Sequence, residues 1–240
     1  MLVHFSKSRA FTLAEVLVTL GIIGVVSAMT VPTLMQNHQR KTYVTQLHKV
    51  YNELSQALII YQNNKNALNV KEAGLIKGAE AEFLKSNFKL VKDCGFGAAD
   101  SGCFASSYSS IKANSNVVPP GTSYYKVVLS NGASIALLLY EASNNIYDDS
   151  RGRILVDING ASGPNIAGRD FWGMTIFSDA VIDDTGISPE CRKTNSCEYG
   201  NIQEEREYWF SESCENSGDA GTPPFGCFGK ILNDNWEMTY

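Results

Sequence analysis

The sequence predicts an α+β protein in which a long N-terminal α-helix packs on a small antiparallel β-sheet, with a cysteine-bearing C-terminal region held by disulfides. Three observations predict it. From Phe11 to Leu34 the chain is almost wholly apolar. The next stretch is amphipathic with helical spacing, and the middle of the chain alternates β-branched and aromatic runs around an Asn-Gly turn.

The apolar run is 24 residues long and its only ionisable side chain is Glu15. At about 1.5 Å per residue it suffices to cross roughly 30 Å of hydrocarbon. Lys7 and Arg9 precede it, and a basic flank of this kind stays on the cytoplasmic side. An ordinary secretory signal is the rival reading, because Val26-Ser27-Ala28 meets the small-residue requirement for cleavage after Ala28 and would release a soluble chain starting at Met29. Glu15 opposes it, since a carboxylate in an apolar signal core hinders insertion by about 2.5–3.5 kcal/mol near mid-membrane.

Beyond Pro32, the residues Val44, Leu47, Val50, Tyr51, Leu54, Leu58 and Tyr61 recur at three and four positions, which makes one helical face apolar. Phe11 to Tyr61 together form a helix about 75 Å long, broken or bent at Pro32, where proline removes a donor and crowds the preceding turn. His38 and His48 lie on this helix with no cysteine near them and read as solvated or partner-facing.

Residues 62–122 are weakly patterned, with a short helix expected over Ala79–Phe88 and a Ser/Asn/Pro-rich loop after Cys103. Tyr124–Leu129 and Ala133–Tyr140 flank Ser130-Asn131-Gly132 and predict a β-hairpin. Ile154–Ile158 and Trp172–Phe177 read as two further strands, and a last strand is expected from Gly229 through Trp236 to Tyr240. The sheet laid on the amphipathic helix buries the stripe from Val44 to Tyr61.

Composition sets the outer limits. With 44% hydrophobic and 19% charged residues the chain is globular rather than disordered. The formal charge of −5 leaves no overall cationic footprint for nucleic acid, and none is expected as a partner. Charge is unevenly placed: residues 1–140 hold 13 Lys and Arg against 7 Asp and Glu, whereas residues 141–240 hold 7 against 18. The six cysteines form no C-x-x-C pair, which disfavours zinc ribbons, and in an exported chain they read as disulfides.

Ala10-Phe11-Thr12-Leu13-Ala14-Glu15 followed by an apolar run to Pro32 resembles the leader of type IV pilins and type II secretion pseudopilins. The resemblance implies a pilin-like fold with residues 1–10 as leader peptide, 11–34 as transmembrane and filament-core helix, 35–61 as amphipathic spine and 62–240 as a periplasmic or extracellular head. It implies cleavage between Ala10 and Phe11 by a prepilin peptidase, which methylates the new amine. Ala10 departs from the glycine usual before the cut. Assembly is implied to rest on Glu15, which would meet the ammonium of a neighbour's Phe11, and on Pro32, where family helices often bend. The implied partners are other pilin or pseudopilin subunits, the inner membrane, a polytopic platform protein and an assembly ATPase. About 230 mature residues favour a minor or specialised subunit. Pilus, secretion pseudopilus and DNA-uptake filament share this N-terminus.

The resemblance also places a disulfide in the C-terminal region. The expected pairing is Cys94 with Cys103, and Cys191, Cys197, Cys214 and Cys227 among themselves, out of the fifteen connectivities that six cysteines allow.

The segment LVDINGASGPNIAGRDF gathers Asp157, Asn159, Asn165 and Asp170, oxygen-bearing side chains of the kind that ligate Ca²⁺. The EF-hand pattern fails at Ala161 and Ser162, and no glutamate closes the loop. Asx turns and glycine conformations are the favoured reading, calcium the alternative. No other cofactor is expected. No nucleotide-binding loop is present, since Pro224 stands at the first-glycine position relative to Gly229-Lys230, and neither a G-x-S-x-G elbow nor an H-E-x-x-H pair occurs. The expectation is a non-enzymatic subunit.

Overall fold

The computed structural model describes residues 11–97, 102–112, 116–141, 149–215 and 225–240. The leader, Ala10 included, lies outside the described residues. The chain forms two compact units, one ending at Lys41 and one spanning Thr42–Tyr240.

Helix α1 (Leu13–Asn64) is continuous through Pro32. The break allowed for at that proline is absent, although proline has no N–H to offer the carbonyl of the preceding turn. Within the second unit α1 buries Val44, Leu47, Val50, Leu54, Ala57, Leu58 and Tyr61, the stripe that the spacing predicts.

That stripe covers a six-stranded antiparallel sheet of order β1-β4-β5-β6-β7-β8. Its members are β1 (Leu90–Phe96), β4 (Tyr125–Leu129), β5 (Ser134–Leu139), β6 (Ser150–Asp157), β7 (Phe171–Phe177) and β8 (Ile182–Asp184). Alternation decides which side chains meet the helix: Val127, Ile135, Leu137, Ile154, Trp172 and Met174 join the spine residues in one core. The intervening Ala136, Leu155 and Phe171 face the other way, into a second core made with Cys103, Phe104, Tyr108 and Val117. The weakly patterned segment after Cys103 therefore covers the sheet's far face. It carries a two-stranded ribbon, β2 (Tyr108–Ser109) with β3 (Asn116–Val117).

Helix α2 (Glu80–Asn87) begins with Glu80 and Glu82 and carries Lys85 in its last turn, charges that oppose the helix dipole. Glu80 is buried because both its oxygens are used: Oε2 accepts the Gly78 N–H at 2.8 Å and Oε1 the Leu139 N–H at 3.2 Å. This ties α2 to β5.

The C-terminal region is helical. Helix α3 (Pro189–Thr194) starts from Ser188, whose hydroxyl accepts the Cys191 N–H, with Pro189 at its first position. Helix α4 (Ile202–Trp209) starts from a capping box of Asn201 and Glu204 and continues into a π-helical turn, Phe210–Glu215. Helix α5 (Cys227–Asn233) occupies the place where a strand was expected from Gly229. Cys227, Phe228 and Ile231 of α5 turn one helical face into the core, and a strand would have pointed two neighbouring apolar residues in opposite directions. After α5, Asn235 and Trp236 take left-handed backbone angles, φ 50° and 62°. The latter is unusual for so bulky a residue. It lays the indole on His48 of the spine, with ring centroids 3.9 Å apart.

Three disulfides, Cys94–Cys103, Cys191–Cys197 and Cys214–Cys227, use all six cysteines. The first joins β1 to the segment over the far face, the second closes the end of α3, and the third joins the π-helical turn to α5.

Candidate functional site

The N-terminal part of α1 begins with a reciprocal cap. Glu15 Oε2 accepts the Thr12 N–H at 2.8 Å and the Thr12 hydroxyl at 2.9 Å, while the Glu15 N–H donates to Thr12 Oγ1 at 3.2 Å. This is a capping box, in which Thr-x-x-Glu satisfies amide groups that a helix start leaves without partners. The T-x-x-E spacing that signals it is local, Thr12-Leu13-Ala14-Glu15.

The helix that follows exposes apolar side chains on every side. Phe11 is 86% exposed, and Leu17, Leu20, Ile22 and Ile23 are each about 60% exposed. None of its most apolar 18-residue window is buried. A helix that is apolar all round needs an apolar environment from outside the fold. Three threonine hydroxyls within it are turned onto the helix's own carbonyls: Thr19 donates to the Val16 carbonyl at 3.0 Å, Thr30 to that of Val26 at 2.9 Å and Thr33 to that of Met29 at 3.5 Å. Together these features make the segment long and apolar enough to cross a bilayer, with its threonine hydroxyls internally paired.

The second candidate region is the loop after β6. The structure brings Asp157, Asn159, Asn165 and Asp170 together, and the two carboxylates are fully buried. Asp157 Oδ2 accepts the Tyr108 hydroxyl at 2.5 Å and Oδ1 the Asn159 N–H at 3.1 Å. Asp170 accepts the N–H groups of Asn165 at 2.7 Å and Ile166 at 2.6 Å, one on each oxygen. Asn159 Nδ2 donates to the Gly163 carbonyl at 2.8 Å. Burial pushes Asp157 up to about 8 despite these donors, with the nearby Asp170 charge acting the same way, and burial raises Asp170 as well.

The loop is also held from outside. Asn165 sits at φ 58°, the Ser109 N–H donates to the Asn165 carbonyl while the Ser109 carbonyl accepts the Ala167 N–H, and the Tyr240 hydroxyl donates to the Gly168 carbonyl at 2.8 Å. Gly168 has φ 79°, and a Cβ there would lie 3.2 Å from the sulfurs of both Cys214 and Cys227.

Each of the four carboxylate oxygens thus already accepts a hydrogen bond from within the chain. The side-chain carbonyls of Asn159 and Asn165 accept none among the described residues. The Asp157 carboxylate, holding the N–H of Asn159 two residues on, forms an Asx turn. Among the described residues no group of three His, Cys, Asp or Glu converges as metal ligands would.

No curated protein and no solved structure matches the chain. Residues 5–31 do match a protein family, the prokaryotic N-terminal methylation motif. The match spans Phe11, Thr12, Glu15 and most of the apolar run, the same residues that form the capped and exposed helix start. The chain therefore carries the prepilin-type N-terminal signature of type IV pilins and pseudopilins.

Proposed function

We propose that this chain is a structural subunit, minor or specialised, of a type IV pilus-like or type II secretion pseudopilus filament. The observation that carries the reading is an apolar helix exposed on all sides, whose only ionisable side chain, Glu15, lies four residues after Phe11 within the matched motif. A prepilin peptidase cuts between Ala10 and Phe11 and methylates the new amine. The helix then holds the subunit in the inner membrane with its head in the periplasm, until a platform protein and an assembly ATPase move it into the filament.

The Thr12 cap gives Glu15 a partner while the subunit stands alone in the membrane. In the filament its carboxylate exchanges that partner for the ammonium of a neighbour's Phe11. A charge pair in low dielectric is strongly destabilised when one member is missing, so the exchange sets the stagger between subunits. The chain has no catalytic task of its own on this reading, and the Asp157–Asp170 loop builds the head rather than holding calcium.

Intact mass and N-terminal peptide mapping of the membrane-extracted protein test the proposal. A start at methylated Phe11 is expected. A start at Met29 would overturn it in favour of a soluble exported domain with an ordinary signal peptide cut after Ala28.

A further inference from the structure

We draw no further inference here: the strongest candidate, the apolar groove at the end of β5 lined by Gly78, Phe96, Ser123, Leu138 and Tyr140, carries none because nothing in the structure shows what covers it.

Discussion

Asp184 on β8 accepts the backbone N–H of Gly226 at 2.9 Å, so that a strand residue caps a helix 42 positions further along the chain. Gly226 is the N-cap of α5 and has no side chain for the task. The second oxygen of Asp184 takes the Gly229 N–H at 2.8 Å, and beside it Asp183 pairs with Arg206 at 2.7 Å. Asp184→Ala leaves the buried amides of Gly226 and Gly229 without acceptors, at about 1–3 kcal/mol each. The melting temperature of the head, followed by circular dichroism, is expected to fall by roughly 10 °C. Asp184→Asn keeps one acceptor and is expected to fall less. Equal, negligible losses in both variants would show that α5 needs no remote cap.

The same contact explains why a helix stands where the run from Gly229 predicts a strand. Gly229-Lys230-Ile231-Leu232 is a short apolar run without its own start signal, and periodicity does not separate helix from strand over four residues. Its start signal is Asp184, visible only once β8 and α5 are side by side. Strands β1 and β8 are not legible in the sequence for a related reason: Lys92, Asp93, Asp183 and Asp184 are poor strand formers by composition, and pairing with β4 and β7 overrides that. By contrast, the Val44–Tyr61 stripe and the hairpin at Asn131-Gly132 are local patterns, and the structure has both. At the N-terminus the sequence shows Glu15, whose place within the apolar run is a local pattern, and the structure adds its partner Thr12. In the head loop Asp157 was visible and Tyr108, 49 residues away, was not.

Asp157 makes stability depend on pH. Its carboxyl is raised from an ordinary value of 3.8 to about 8 by burial, so between these limits the folded protein holds a proton that the unfolded chain has released. Stability from this group is fully present below about pH 4 and is lost as pH rises through 8. Asp170 shifts in the same direction. Asp93 and Asp149 are lowered and act oppositely, their contribution being lost as pH falls through their folded values, so the window to examine starts at pH 5. The melting temperature is expected to decline from pH 5 to pH 9, by up to about 1.4 kcal/mol of stability per pH unit. Asp157→Asn lowers the melting temperature at pH 5 and flattens the decline. A wild-type curve that is flat over this range would mean that Asp157 stays ionised beneath Tyr108.

If the Asp157–Asp170 loop is held by internal donors, calcium has no large effect on it. Thermal melts of the head in millimolar CaCl₂ and in EDTA are expected to coincide within about 1 °C, whereas a ligand at a hundred times its Kd would stabilise by about 2.7 kcal/mol. A calcium-dependent rise that Asn165→Ala abolishes would restore the metal reading, because Asn165 Oδ1 is one of two carbonyl oxygens in the loop without an internal donor.

The Cys214–Cys227 bridge stabilises the head in two ways. It closes a loop of 13 residues, for which chain entropy gives about 3 kcal/mol, and its sulfurs pack under Gly168. The double variant Cys214→Ala/Cys227→Ala is expected to unfold at clearly lower urea concentration. Reducing agent is expected to move the wild type toward the same midpoint, with any further shift assigned to Cys94–Cys103 and Cys191–Cys197.

Glu15 and Thr12 separate capping from assembly. Thr12→Ala removes the cap hydroxyl, which stabilises a helix start by about 1 kcal/mol, and leaves the carboxylate of Glu15 in place. Glu15→Gln does the reverse: its amide oxygen still accepts from Thr12, but it cannot pair with an ammonium as a charge. Neither residue is a member of the head's buried cores, so both variants are expected to melt as the wild type does. Their assembly should differ. Glu15→Gln is expected to accumulate in the membrane fraction and to be lost from sheared filaments, and Thr12→Ala to show a partial reduction, both read by immunoblot of the two fractions. Wild-type filament yield from Glu15→Gln would show that charge pairing at this position does not set the stagger, and would leave apolar packing of the exposed helix as the force that assembles the subunit.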